Sequence, residues 1–207
     1  MTTTAGTLLA DAQAGRVGGH PDPAPAPSPD PAAFRAAMGR MPTGVTLLTH
    51  GSGDDTIIMT LNSLISVSLD PLLLLVSVKS DGRMRPRVRR GGGFAVNVLG
   101  AEQLPFAQEF CRPDRPEGQA AMLRVGAVEG VSGHAVIPSA EASFECELHD
   151  EHEAGDHVLL LGRVVALHQH PDTTDPLLFH RGRYAGLSPL EPAPAGDDRL
   201  TPRGRAA

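Results

Sequence analysis

The chain has 207 residues, 41% of them hydrophobic and 20% charged, with a formal net charge of −6. That length fits one domain able to bury a core without disulfides or metals. The acidic balance argues against nucleic acid as a partner, because neutralising phosphates takes a basic face. The longest apolar run, 72–76, is too short to cross a bilayer, so no membrane span is expected. The opening MTTTAGTLLADAQAG lacks a basic flank and a sustained apolar core, does not read as a secretory signal, and implies a cytoplasmic location. Cys111 and Cys146 have neither CxxC nor metal-type spacing and are expected to be reduced and buried.

Residues 1–30 and 190–207 are rich in Ala, Pro and Gly and are expected to be disordered around one domain at 31–189. Asp30 followed by Pro31 is a helix start, and Phe34, Ala37, Met38 and Met41 recur at helical spacing. Strands are predicted over 45–49, 57–67, 72–78 and 94–99, with GSGDD as the turn after the first. Helices are predicted over 84–90 and 101–110, where Leu104, Ala107 and Phe110 share a face. Strands 143–148 and 157–167 follow, antiparallel around an acidic turn. Many strands, few helices and no βαβ rhythm indicate a mainly β fold, a small antiparallel barrel with helical additions.

The stretch 59–78, MTLNSLISVSLDPLLLLVSV, carries most of the functional signal. Alternation from Thr60 puts Thr60, Asn62, Ser66 and Ser68 on one strand face and Leu61, Ile65, Val67 and Leu69 on the other, with Ser63 the polar exception. Short donors on one face make a ligand floor. Directly after it, Lys79, the only lysine, starts a run with Arg83, Arg85, Arg87, Arg89 and Arg90, while acids gather between 141 and 156. A local anion-attracting patch is expected, and Lys79, Ser80, Arg83 and Arg85 form a loop of donors suited to a phosphate. There is no Gly-x-Ser-x-Gly elbow, HExxH, Walker loop or GxGxxG after a strand. Six histidines fall between 149 and 180, among turn residues and acids and without a repeated ligand spacing, so no metal is predicted.

Four collinear segments resemble the flavin reductase family with the FMN-binding split-barrel fold. They are Met59-Thr60-Leu61-Asn62-Ser63 with the following SVSLDP and apolar strand, FAVNVL from Phe94, Gly155-Asp156-His157 with LGRV from Leu161, and LLFHRGRY from Leu177 to Tyr184. The likeness covers roughly 34–187. It implies a Greek-key, six-stranded antiparallel barrel, FMN or FAD as flavin, NADH or NADPH as hydride donor, a homodimer, and a flavin-dependent monooxygenase that receives the reduced flavin. Thr60, Asn62 and Ser63 map to the flavin ring, with Met59, Val78 and Phe94 completing the cofactor-binding set. Tyr184 closes over the pocket from this chain or a partner copy. His157 lies beside the stacked nicotinamide and flavin, where its charge assists hydride transfer; the alternative is a hairpin histidine bonded to Asp156. Asn97 is expected to serve buried backbone groups rather than the flavin.

Four positions depart from the family pattern. Gly82 and Met84 stand where a Ser-x-Thr phosphate grip is usual, Ile58 where a glycine precedes the Met-Thr pair, and Leu72 where a second proline is common. Each lost charge-assisted hydrogen bond costs roughly 1.5 to 3 kcal/mol. These changes leave a second possibility, a repurposed split barrel that binds flavin, haem or another planar ligand without reducing free flavin, or that catalyses a non-redox step.

Overall fold

The computed structural model describes residues 28–169 and 175–187. Most of both ends expected to be disordered, and His170 among the histidines, lie outside the described residues. The chain begins with α1 (Pro31–Met38), capped as the sequence suggests by Asp30, whose Oδ2 accepts from Ala33 N at 3.0 Å. Its apolar residues stay outside the core: no residue of α1 is buried, and Phe34 is 62% exposed.

Next come β1 (Thr43–Gly44), β2 (Thr46–His50), β3 (Ile57–Leu61), β4 (Ile65–Leu69) and β5 (Leu72–Lys79). They are followed by α2 (Met84–Gly91), β6 (Gly93–Val98), α3 (Leu104–Phe110) and α4 (Gly118–Val125). The described chain closes with β7 (Val128–Glu129), β8 (Ala135–Val136), β9 (Ala142–Ala154), β10 (His157–Gln169), β11 (Leu178–His180) and β12 (Arg183–Ala185). Residues 101–110 divide into a single 3-10 turn and α3, and α4, β7 and β8 went unpredicted.

Seven strands form one antiparallel sheet in the order β3-β2-β6-β9-β10-β5-β4. The count is seven rather than six because the strand expected over 57–67 breaks at 62–64 into β3 and β4, which stand at opposite edges. In a flat sheet six gaps of about 4.8 Å would part those edges by roughly 29 Å. The chain from Leu61 to Ile65 reaches at most about 14 Å, so the sheet must be rolled into a barrel with a seam between β3 and β4. The break also undoes the single polar face: Thr60 and Asn62 belong to one end of the roll, whereas Ser66 and Ser68 line a separate, apolar hollow with Leu69 and Leu74.

Ser63 bridges the seam. Its hydroxyl donates to Ser77 O and accepts from Ser77 N, both at 3.0 Å, just beyond the point where β4 stops pairing with β5. One side chain thus satisfies two strand-edge backbone groups.

Alternation sorts the apolar residues into two cores. Leu48, Ile57, Val76, Phe94, Val96 and Leu160 fill the roll, with Met84 and Val88 of α2 over one end. Leu47, Ile58 and Leu99 point outward and are covered by Phe110, Ala121 and Val125 of α3 and α4. Strands buried on both faces follow from this double covering. Phe94 is fully buried; its ring needs the space left by Gly162, where a Cβ would lie 2.7 Å from Cζ. Cys146 is buried as expected, its thiol pushed up to about 12 by burial. Cys111 is exposed, against expectation. Asn97 behaves as predicted: fully buried, it donates to Leu47 O and accepts from Ile137 N at 2.9 Å and from the Ser143 hydroxyl at 2.8 Å.

Candidate functional site

A cleft of about 630 Å³ opens where β3 ends, β5 ends and α2 begins, within the size range of small-molecule sites. Eight of the twelve predicted site residues line it: Met59, Thr60, Asn62, Ser63, Val78, Lys79, Arg83 and His157. The sheet register delivers them, since His157 pairs with Lys79 across β10 and β5, and the split between β3 and β4 leaves Asn62 and Ser63 at the adjoining rim. Leu61, Val78 and Met84 form its apolar base.

Several of these polar groups already hold the fold. Thr60 Oγ1 donates to Ala107 O at 2.8 Å, tying β3 to α3. Ser63 is engaged at both its proton and a lone pair by Ser77. Asn62 uses one Nδ2 proton on Thr43 Oγ1 at 3.0 Å, which leaves its carbonyl and second proton for a ligand. The Nδ1–H of His157 donates to Asp156 Oδ1 at 2.9 Å, so the hairpin contact and the position beside the cleft coexist. In the neutral ring that bond leaves Nε2 as an acceptor. The hydrogen bond and charge of His157 hold the exposed Asp156 carboxyl below its ordinary range.

The basic run is largely neutralised by the acids. Arg83 pairs with Glu117 and donates to Pro113 O at 3.0 Å, building a cleft wall rather than offering a free anion hook. Arg85 lies outside the cleft, bound to Glu151 at 2.9 Å and Glu153 at 3.0 Å on the exposed half of β9. Ser80 sits outside the lining, bonded through N and Oγ to Asp156 O, where it fastens the loop to the β9–β10 turn. Tyr184 packs edge-on against Phe179 at 5.4 Å between centroids and does not line the cleft. Ser80, Arg85, Phe94 and Tyr184 thus lie outside the cleft wall of this chain.

Sequence reasoning missed several lining residues, among them Asp81, Cys111 and the cation Arg115. Arg115 Nε donates to Ile58 O at 2.7 Å and its Nη1 to Arg112 O at 2.9 Å. Burial first, and the neighbouring Arg83 second, lower its pKa, though a guanidinium stays charged in proteins. No local signal marks it, because the carbonyl that fixes it is 57 residues away. Ile58, the β-branched departure from the family pattern, buries its side chain in the outer core and presents its carbonyl to Arg115.

At the phosphate-loop positions, Gly82 N closes a tight turn on Lys79 O at 3.1 Å. Met84 is 2% exposed and packs in the core inside the roll, which explains why a threonine is absent there. Arg83, the residue before α2, makes no side-chain cap, which leaves the N–H groups of Met84 and Arg85 without a capping side chain near Lys79, while Pro86 carries none. A concave slot with an apolar base, Asn62, two cations and an uncapped helix start suits a planar heterocycle with a phosphorylated tail.

Comparison with known proteins agrees with this chemistry. The model of the flavin reductase like domain matches residues 38–188. An NADH-dependent FMN reductase, AsuE2, from Streptomyces nodosus subsp. asukaensis is 49% identical over 154 residues, 74% of this chain and 83% of that one. An NADH-dependent FAD reductase from Streptomyces globisporus is 39% identical over 157 residues, 75% of this chain and 85% of that one. Among solved structures, BorF, the flavin reductase component of a bacterial two-component tryptophan halogenase, superposes with a TM-score of 0.72 at 36% identity, covering 78% of this chain and all of that one. The rolled sheet, the cleft at its seam and these matches together make this chain a member of the flavin reductase like domain family.

Proposed function

We propose that this chain is an NADH-dependent flavin reductase that binds FMN or FAD in the seam cleft and releases the reduced flavin to a separate flavin-dependent monooxygenase. The observation that carries the reading is the convergence of Asn62, Lys79, Arg115 and His157 on one slot with the uncapped start of α2. A bound flavin supplies the redox chemistry, accepting hydride from reduced nicotinamide. The chain's part is to hold, orient and balance charge. Lys79 and the first N–H groups of α2 hold the phosphate. Arg115, fixed by two backbone carbonyls, offers positive charge at low orientational cost. Asn62 presents a donor and an acceptor to a ring edge, and His157, oriented by Asp156, flanks the position of the nicotinamide.

The same reading includes a homodimer in the cytoplasm. β4 is a sheet edge carrying Ile65, Val67 and Leu69 at 57%, 49% and 84% exposure, next to exposed Leu72 and Leu167. A bare apolar edge of this kind is a surface for a second copy. The relatives' names support NADH as donor and leave FMN and FAD equally placed.

Following NADH and NADPH consumption by the purified chain with FMN and then FAD tests the activity. Turnover with NADH and at least one flavin is expected. No consumption with either flavin would remove the reductase reading and leave the repurposed barrel, for which Gly82 and Met84 would then be the explanation.

A further inference from the structure

At the far end of α2 lies a second cleft, about 400 Å³, that shares no lining residue with the first. Its wall includes two histidines, His50 and His134, 9% and 6% exposed, with ring centroids 5.0 Å apart. Both rings are built into the fold by glycines, since a Cβ on Gly91 would collide with His50 and one on Gly93 would lie 2.7 Å from His134 Nε2.

Backbone partners fix the two rings in opposite tautomers. Gly93 O can only accept, so His50 Nδ1 carries the proton that it donates at 2.8 Å, and its Nε2 is a bare acceptor. Gly51 N–H donates to His134 Nδ1 at 3.1 Å, so His134 carries its proton on Nε2 and is a donor there. Neither Nε2 has a hydrogen-bond partner among the described residues. Burial, then the neighbouring histidine, hold His134 at about 4, and burial lowers His50, so the site disfavours the charged form of both rings. The positive charge of the cleft sits on Arg87 and Arg90. Arg90 makes no hydrogen bond or ion pair among the described residues, while Arg87 donates from Nη1 to Asp55 O at 3.3 Å and holds Glu117 at 3.7 Å. Asp55 at the rim and the C-terminal end of α2 oppose an anion, and two guanidiniums outweigh them.

One acceptor, one neutral donor and two guanidiniums suit an oxyanion that still bears a proton. We propose that this cleft binds a protonated phosphate group, as in inorganic phosphate or a phosphomonoester, its P–OH donating to His50 Nε2 and its oxygens accepting from His134 Nε2 and from Arg87 and Arg90. The site is independent of the flavin cleft, and its test does not require flavin reduction.

The test follows the histidine ring C–H resonances of the full chain by NMR at about pH 6, where phosphomonoesters keep part of their second proton. Titrants are inorganic phosphate, adenosine 5′-monophosphate and sulfate. Saturable shifts of His50 and His134, without movement of His157, are expected with the first two. Sulfate, which has no proton to give His50, should bind more weakly. Arg90→Ala, at an exposed position, should weaken phosphate by about tenfold or more, the loss of one charge-assisted hydrogen bond; Asp55→Asn should tighten it. Tighter binding of the nucleotide than of phosphate assigns the site to a phosphomonoester, and equal binding assigns it to free phosphate. Absence of saturable shifts, sulfate equal to phosphate, or an unchanged affinity in Arg90→Ala would overturn the proposal.

Discussion

The two ends of α2 use the same residue type differently. At the N-terminal end Arg83 and Arg85 are bound to Glu117, Glu151 and Glu153, and the open charge of the seam cleft comes from Lys79 and Arg115 instead. At the C-terminal end Arg90 has no such partner among the described residues and stands beside two buried histidines. A run of arginines in sequence is therefore no measure of a basic patch. The acids that the fold brings opposite each one decide, and those acids lie 34 to 68 residues further along the chain.

The largest expected effect tests the C-terminal end. A histidine whose pKa falls on folding is protonated first in the unfolded chain, so stability is complete above about pH 6.5 and declines as pH falls toward 4. A shift from 6.5 to about 4 in a side chain this buried corresponds to a loss of about 3 kcal/mol across that window. His134→Asn, which keeps an acceptor for Gly51 N, should flatten the decline of melting temperature between pH 6.5 and 4; an unchanged slope would contradict the assignment. Glu145 acts in a lower window. Burial raises its pKa, but hydrogen bonds from Ser132 and His168 outweigh burial and leave it below the ordinary carboxylate value. Its contribution is present above that ordinary value and is lost only as pH falls through the lowered one.

A smaller effect tests the seam. Ser63→Ala leaves Ser77 N and O without their partner, and should cost about 1 to 3 kcal/mol in denaturant unfolding. The hydroxyl is already engaged, so flavin affinity should fall far less than stability; a selective loss of flavin binding would return Ser63 to the ligand. The smallest effect concerns the phosphate loop. Gly82→Ser adds a hydroxyl near the start of α2 against a Cβ contact of 3.1 Å with Lys79 O, and should tighten FMN a few-fold, by a neutral hydrogen bond worth about 1 kcal/mol. Met84→Thr is no companion to it, because removing a buried core side chain would confound binding with stability.

Strand and helix periodicity in the sequence located the sheet, α2, α3 and the long hairpin, because their apolar faces repeat with the right period. It failed at 62–64, where the one strand expected over 57–67 breaks into β3 and β4, two segments that run in the same direction at opposite edges of the sheet. The cause is Ser63, a polar residue whose role is set by Ser77 on another strand. α4 was missed although GQAAMLRV ends at Gly126 with φ +65, a left-handed C-cap that was its available signal. At the site, Asn62 and His157 from the family signature and Lys79 from the run of donors after the strand come together on one cleft. Two other expected residues lie outside that cleft: Phe94, buried by the room Gly162 leaves, and Arg85, claimed by the acids of β9. Arg115 was out of reach, since a distant backbone carbonyl fixes it.

The central claim is that flavin is held in the seam cleft by cations the acids leave open. It is tested most directly by fluorescence titration of FMN against the wild type, Lys79→Ala and Arg85→Ala. Lys79→Ala should weaken binding by about tenfold or more, the value of one charge-assisted contact to phosphate, while Arg85→Ala leaves it unchanged. Equal affinities for all three proteins, or a loss confined to Arg85→Ala, would contradict the account.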